Sequence, residues 1–186
     1  MSVAAERARL IEIIKHLSVE TGRTFKLASG RTSDFYCNLK PTMMDPEGAY
    51  LLGRLIAEAI DDIEADLVGG LEIGAVPLAT ATAAMSFARG RPRRAFFVRK
   101  QAKDHGTQNL IDGLRRGETV AAKRVIILED VTTTGGSSMK AIEAVKAAGA
   151  SVALVLTVVD RQEGAAETFQ AAGVPFRALI TASELR

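Results

Sequence analysis

Two adjacent carboxylates, Glu129 and Asp130, follow the apolar run Val125-Ile126-Ile127-Leu128 and precede Val131-Thr132-Thr133-Thr134-Gly135-Gly136-Ser137-Ser138. Four consecutive apolar residues suit a buried strand, so the acids stand at its carboxyl end, where a buried pair is costly unless something engages it. The two glycines allow a backbone to close around a small anion, and hydroxyls with successive amides at a helix start donate to it. The segment reads as a phosphate cradle with an acid pair at its mouth. No Gly-x-x-x-x-Gly-Lys-[Ser/Thr] loop occurs in the chain, and the cradle is not Gly-x-Gly-x-x-Gly. Carboxylates there repel a bare phosphate but suit the vicinal hydroxyls of a phosphorylated sugar. The competing reading, a helix N-cap with incidental acids, explains less of the pattern.

A second group of residues is cationic. Arg99-Lys100-Gln101-Ala102-Lys103-Asp104-His105-Gly106 follows the apolar run Ala95–Val98 and packs three cations and a histidine into seven positions. Cations on a closing lid can neutralise a diphosphate leaving group; the alternative is a nonspecific basic surface. A third group, Asp160-Arg161-Gln162-Glu163, follows the apolar run from Val152 to Val159. An arginine there can grip a planar carboxylate bidentately, which a lysine would not match. Taken alone, Arg161 is more often a salt-bridged surface residue.

The elements that must position these groups alternate. Leu10, Ile11, Ile13, Ile14 and Leu17 recur at helical spacing, with Gly22 placed to end the segment. Phe25 to Asn38 reads as a small hairpin. Asp45 and Pro46 start a helix as N-cap and first turn, with Leu52, Leu55, Ile56 and Ile60 as its buried stripe. Short apolar runs at Leu67-Val68, Ala95–Val98, Val125–Leu128 and Val152–Val159 then alternate with helical segments from Pro77 to about Phe87 and from Ser138 to Ala148. That rhythm predicts an α/β fold with a parallel sheet flanked by helices, whose ligands bind at the carboxyl ends of the strands. From Arg99 to Lys123 core periodicity is absent, and a mobile loop is expected there.

Composition narrows the class. The chain has 186 residues, 47% apolar and 25% charged, with a net charge of +2 and a single cysteine, Cys37. Disordered, collagen-like and mini-protein readings are excluded, as are an intrachain disulfide and a cysteine-based metal cluster. Cys37 is expected only to pack. The longest uncharged run, Ile73 to Ala88, is broken by Pro77 and falls short of the roughly 20 apolar residues of a membrane span. Glu6, Glu12 and Glu20 disagree with a signal or transit peptide, so the cytoplasm is the expected compartment. The near-zero total hides a local field: Arg89, Arg91, Arg93, Arg94, Arg99, Lys100 and Lys103 stand against Asp104 alone, a net of +6. Its position predicts a polyanionic substrate approaching the lid.

The strand, acid pair and Thr/Gly turn resemble the signature of the phosphoribosyltransferases. The Arg-Lys-x-x-Lys-Asp-His-Gly loop and the Asp-Arg-Gln-Glu segment are similar to those of the orotate phosphoribosyltransferases, and Phe25–Ser33 resembles that family's substrate hood. The resemblance implies a type I phosphoribosyltransferase-like fold in one domain, 1–186, its small N-terminal hood drawn from about residues 1–45 plus a C-terminal segment. It implies transfer from phosphoribosyl pyrophosphate to orotate. Donor contacts then fall on Arg99, Lys100, Lys103, His105, Glu129, Asp130, Val131, Thr132, Thr133, Thr134, Gly135, Gly136 and Ser137. Thr133 and Arg161 fall to orotate, and Lys103, Asp104, His105 and Asp130 to catalysis. Mg²⁺ is implied as cofactor, held mainly by substrate and water with no protein metal ligand. A homodimer with shared active sites is implied, with neither nucleic acid nor membrane as partner. Two departures stand out: Ala28 replaces a hood lysine, with Lys26 two residues earlier, and the diphosphate loop Glu72-Ile73-Gly74-Ala75 lacks a lysine found in some relatives. Two alternatives remain at this stage: a phosphoribosyltransferase for another base, and a non-catalytic regulator that senses the donor and binds nucleic acid.

Overall fold

Helix α1 (Val3–Ser18) begins at Ser2, whose hydroxyl accepts from the Ala5 amide, and buries Leu10, Ile13 and Ile14. The computed structural model describes residues 2–26, 32–101 and 110–186. Gly22 does not end α1. The chain turns extended at Val19 and enters β1 (Val19–Lys26), where Gly22, at φ +84°, lies in a register irregularity against β2 (Thr32–Cys37). A glycine read as a helix stop thus serves a bulge. The antiparallel β1–β2 pair is a hairpin as expected, but its first strand starts at Val19 rather than at Phe25. A short α2 (Lys40–Met44) leads into α3 (Pro46–Ala59), which Asp45 caps through a 2.8 Å bond from the Gly48 amide, with Pro46 in its first turn.

Strand β3 (Leu67–Leu71) passes through α4 (Ala75–Ala88) to β4 (Arg94–Val98) and a two-residue β5 (Ile111–Asp112). Strand β6 (Arg124–Thr132) passes through α5 (Gly136–Ala147) to β7 (Ser151–Asp160), then α6 (Ala165–Ala171), β8 (Phe176–Thr181) and α7 (Ala182–Leu185). The sheet order is β5-β4-β3-β6-β7-β8, parallel except for β5. Successive side chains on β6 feed opposite faces. Ile126 and Leu128 join Leu10, Leu52, Ile56 and Leu78 on one side, while Val125 and Ile127 join Ile142, Val145 and Phe169 on the other.

Two expectations change. The stretch after Arg99 is anchored at its far end: Leu110 and Ile111 pack into the core beside β4, and Val120 is buried. Residues 102–109 lie outside the described residues. The dense arginines before β4 do not approach the carboxyl end of the sheet. Arg89 pairs with Glu58 at 2.6 Å, Arg91 with Asp61 at 2.9 Å and Arg94 with Glu118, while Arg93 donates to the carbonyls of Ile60 and Ile63. They bind together the amino-terminal side of the sheet, and their charge is spent locally.

The central strands approach too closely for side chains at β3. A Cβ on Gly70 would fall 2.2 Å from the Leu128 carbonyl oxygen, against backbone that cannot yield. Gly70→Ala should therefore destabilise the fold by about 1–3 kcal/mol, read as a lower urea midpoint with an unchanged slope.

Candidate functional site

The chain leaves β3 for β4 on one side and later enters β6 on the other, so the strand order reverses at β3 and a crevice opens beyond the carboxyl ends of β3 and β6. The end of β6 carries Glu129 to Thr132, the turn after it Thr133 to Gly135, and the end of β7 leads to Arg161. Gly74, just past β3, abuts Asp130: a Cβ would lie 2.6 Å from Oδ1. Any side chain at 74 would displace the acid. Gly135 opens α5 in the left-handed region, φ +86°, with the Phe169 ring 2.9 Å from where its Cβ would be. Both conformation and space demand glycine there.

The two acids do different things. Glu129 is only 7% exposed, and its Oε2 accepts a 2.8 Å bond from Ser138 Oγ in the first turn of α5. Burial pushes the Glu129 carboxyl up to about 8, the neighbouring Asp130 charge pushes the same way, and the Ser138 hydroxyl opposes both. Asp130 is half-buried and faces Gly74 across the crevice. The pair therefore does not open to solvent as a unit: one acid lies beneath the helix, the other at the mouth.

Beyond the acids, Val131 and Thr132 still belong to β6, and the turn proper is Thr133–Gly135. Thr134, Gly136 and Ser137 are exposed at the start of α5. The Thr132 hydroxyl does not reach the cradle. It is buried and donates to Thr157 Oγ1 on β7 at 2.9 Å. Its carbonyl accepts the Arg161 amide at 2.9 Å, joining the turn after β6 to the turn after β7. Arg161 is 9% exposed, with Nη2 held 2.7 Å from Glu163 Oε1 and its guanidinium 5.6 Å from the Phe35 ring centroid. Arg186 covers the same ring at 5.3 Å and pairs with Asp34. The hairpin strand β2 is thus fastened to the end of β7. Cys37, on that strand, is buried; desolvation first, then the Asp130 charge, pushes its thiol up to about 12, partly offset by Arg161. It is a packed thiol, as expected.

The basic segment is placed in part. Arg99 pairs with Asp112 at 3.2 Å, and the Lys100 amide donates to Glu72 Oε1 at 2.8 Å, which ties the ends of β3 and β4 together. The Glu72–Ile73 peptide is cis. A cavity of about 660 Å³ lies beside them, lined by Arg99, Lys100, Leu110, Ser137 and Lys140 among others. Lys103, Asp104 and His105 lie outside the described residues, as do Ala28 and the side chain of Lys26. Among the described residues no group of three or more His, Cys, Asp or Glu could hold a metal, and no helix is long and apolar enough to cross a membrane.

Four contributors take roles that the sequence reading did not assign to them. Ser138 ends the hydroxyl run Thr132–Ser138 and could have been found there. Gly74 lies in the diphosphate loop the sequence singles out, but its contact with Asp130, like the roles of Phe35 and Thr157, joins strands distant in the chain and carries no local signal.

Residues 45–172 match the family described as the phosphoribosyl transferase domain. An orotate phosphoribosyltransferase of Bradyrhizobium sp. (strain BTAi1 / ATCC BAA-1182) is 61% identical over 184 residues, covering 99% of each chain. The crystal structure of Mycobacterium tuberculosis H37Rv orotate phosphoribosyltransferase with Fe(III) dicitrate superposes with a TM-score of 0.84 at 42% identity, over 97% of this chain and 98% of that one. The same enzyme in complex with 5-phospho-alpha-D-ribosyl 1-diphosphate gives 0.78 at 35% identity, over 98% and 92%.

The raised Glu129 pKa has a consequence for stability. Unfolding returns the carboxyl to its ordinary value, so the folded protein binds the extra proton between that value and about 8. Stability from this group is retained at low pH and lost as pH rises through about 8. Glu129→Gln, neutral throughout, should raise Tm by several degrees at pH 9 and change it little at pH 5. An equal change at both pH values in thermal melts would contradict the assignment.

Proposed function

The chain belongs to the orotate phosphoribosyltransferase family, and on that premise we propose how its residues divide the work. The reaction transfers the 5-phosphoribosyl group of phosphoribosyl pyrophosphate to N1 of orotate, giving orotidine 5'-monophosphate and diphosphate in pyrimidine biosynthesis. Asp130 and Glu129 hold the ribose hydroxyls. Thr133, Thr134 and Ser137 supply hydroxyls and, with Gly135 and Gly136, amides to the 5-phosphate; Val131 and Thr132 contribute through their backbone, since the Thr132 hydroxyl is committed to Thr157. Arg161 grips the orotate carboxylate, and Thr133 lies against the pyrimidine. The observation that carries this division is the 2.9 Å bond from the Arg161 amide to the Thr132 carbonyl, which sets the donor and acceptor turns side by side. Arg161 holds Nη2 on Glu163, and its planar guanidinium has the fork geometry that matches a carboxylate.

Breaking the C1–oxygen bond builds positive charge on the ribose and negative charge on the leaving diphosphate, so catalysis is electrostatic positioning. Asp130 faces the sugar. Arg99 and Lys100 stand at the diphosphate end, with Lys103, Asp104 and His105 brought by the lid. Mg²⁺ fits this site because it favours phosphate-rich coordination with few protein ligands; substrate oxygens and water would hold it, and it would neutralise the departing diphosphate. The cytoplasm suits a substrate set of this kind. A homodimer with the lid acting in the neighbouring site is supported by exposed apolar side chains on α2, α3 and α4: Met44 at 68%, Tyr50 and, at 76%, Phe87.

Assays with Mg²⁺ and the donor should give nucleotide with orotate and none with uracil or adenine; equal turnover of uracil would overturn the role of Arg161. Arg161→Lys should raise KM for orotate about tenfold or more while leaving donor affinity nearly unchanged. Lys103→Ala should lower kcat far more than it weakens orotate binding. Mixed dimers of Lys103→Ala with Asp130→Asn chains should regain a fraction of active sites, and verified mixed dimers without recovery would argue against sharing.

A further inference from the structure

Ser138 lies at the third position of α5, is 1% exposed, and donates to a carboxyl oxygen of Glu129, which is itself almost fully buried. A serine hydroxyl in the first turn of a helix ordinarily serves its own backbone. This one reaches down to the strand instead. We propose that Ser138 is a positioning residue for the transfer: by fixing Oε2 of Glu129 it sets the carboxyl rotation and leaves Oε1 to accept a ribose hydroxyl of the donor. The proposal rests on the donor-binding role of Glu129 given above.

Three features support it. The bond joins the acid at the end of β6 to the helix whose amino terminus forms the phosphate cradle, so sugar and phosphate contacts share one rigid support. Ser138 also donates to the carboxyl in a dry setting, where a hydrogen bond is electrostatically strong. Finally, the hydroxyl is the side-chain contact that favours the ionised, accepting form of Glu129 against burial and the Asp130 charge, with the Asp130 backbone helping. The other groups facing Glu129 do not replace it. Thr157, opposite on β7, is neutral, α5 brings Ser138, and Asp130 is the charged neighbour among the described residues.

A double-mutant cycle on the full-length enzyme tests the proposal. Ser138→Ala should reduce kcat/KM for the donor about tenfold with KM for orotate nearly unchanged, and should move the acid limb of that pH profile upward, because the carboxyl loses its side-chain hydroxyl donor. Ser138→Cys, with a weak donor, should fall between. In a Glu129→Gln background the Ser138→Ala loss should vanish. A loss of the same size in both backgrounds, or an unmoved pH limb, would overturn the proposal and leave Ser138 a packing residue. If Glu129→Gln by itself leaves donor affinity unchanged, the donor-binding role of Glu129 fails, and the proposal with it; the single variant distinguishes the two failures. Thermal melts of each variant, matched to the kinetics, separate loss of fold from loss of positioning.

Discussion

The structure depends on placing carboxyl groups at the end of a strand that is buried on both faces. A charged acid there is unfavourable unless something compensates for lost water. The chain compensates Glu129 with a hydroxyl from the following helix and leaves Asp130 at the mouth of a crevice. Everything near that crevice is arranged around the pair. Gly74 is small so that Asp130 has room, and Gly135 turns left-handed so that α5 can begin directly above Glu129. The acids therefore constrain two loops and one helix, although they occupy only two positions.

The second organising feature is the contact between neighbouring turns. Parallel strands leave their connecting loops on one edge of the sheet, and β6 and β7 are in register to their last residues, Thr132 opposite Asp160. The turns that carry the phosphate cradle and Arg161 are consequently adjacent. Phe35 and Arg186 close the far side by fastening the hairpin over Arg161.

Charge is distributed less simply than a count of cations implies. A run of arginines next to a basic lid reads as one field along the sequence. Strand β4, five residues long, separates its two halves and carries the chain from the amino-terminal to the carboxyl-terminal end of the sheet. Arg89, Arg91, Arg93 and Arg94 end up neutralised against α3 and its following turn, or against Glu118, while Arg99 and Lys100 emerge on the side of the crevice.

By itself the sequence determined the strand–helix alternation, the cap at Asp45, the acid-bearing strand with its Thr/Gly turn, and the presence of Arg161 after an apolar run. These are patterns carried by neighbouring residues, and burial periodicity or turn chemistry writes them directly into the order of side chains. It misplaced Gly22, because a glycine with positive φ serves a bulge as well as a helix end. Only tertiary structure decided that Glu129 lies beneath Ser138, that Thr132 turns its hydroxyl to Thr157, that Gly74 makes room for Asp130, and that Phe35 lies under Arg161. Each of those relations joins separate elements through strand order and register, which no local pattern encodes.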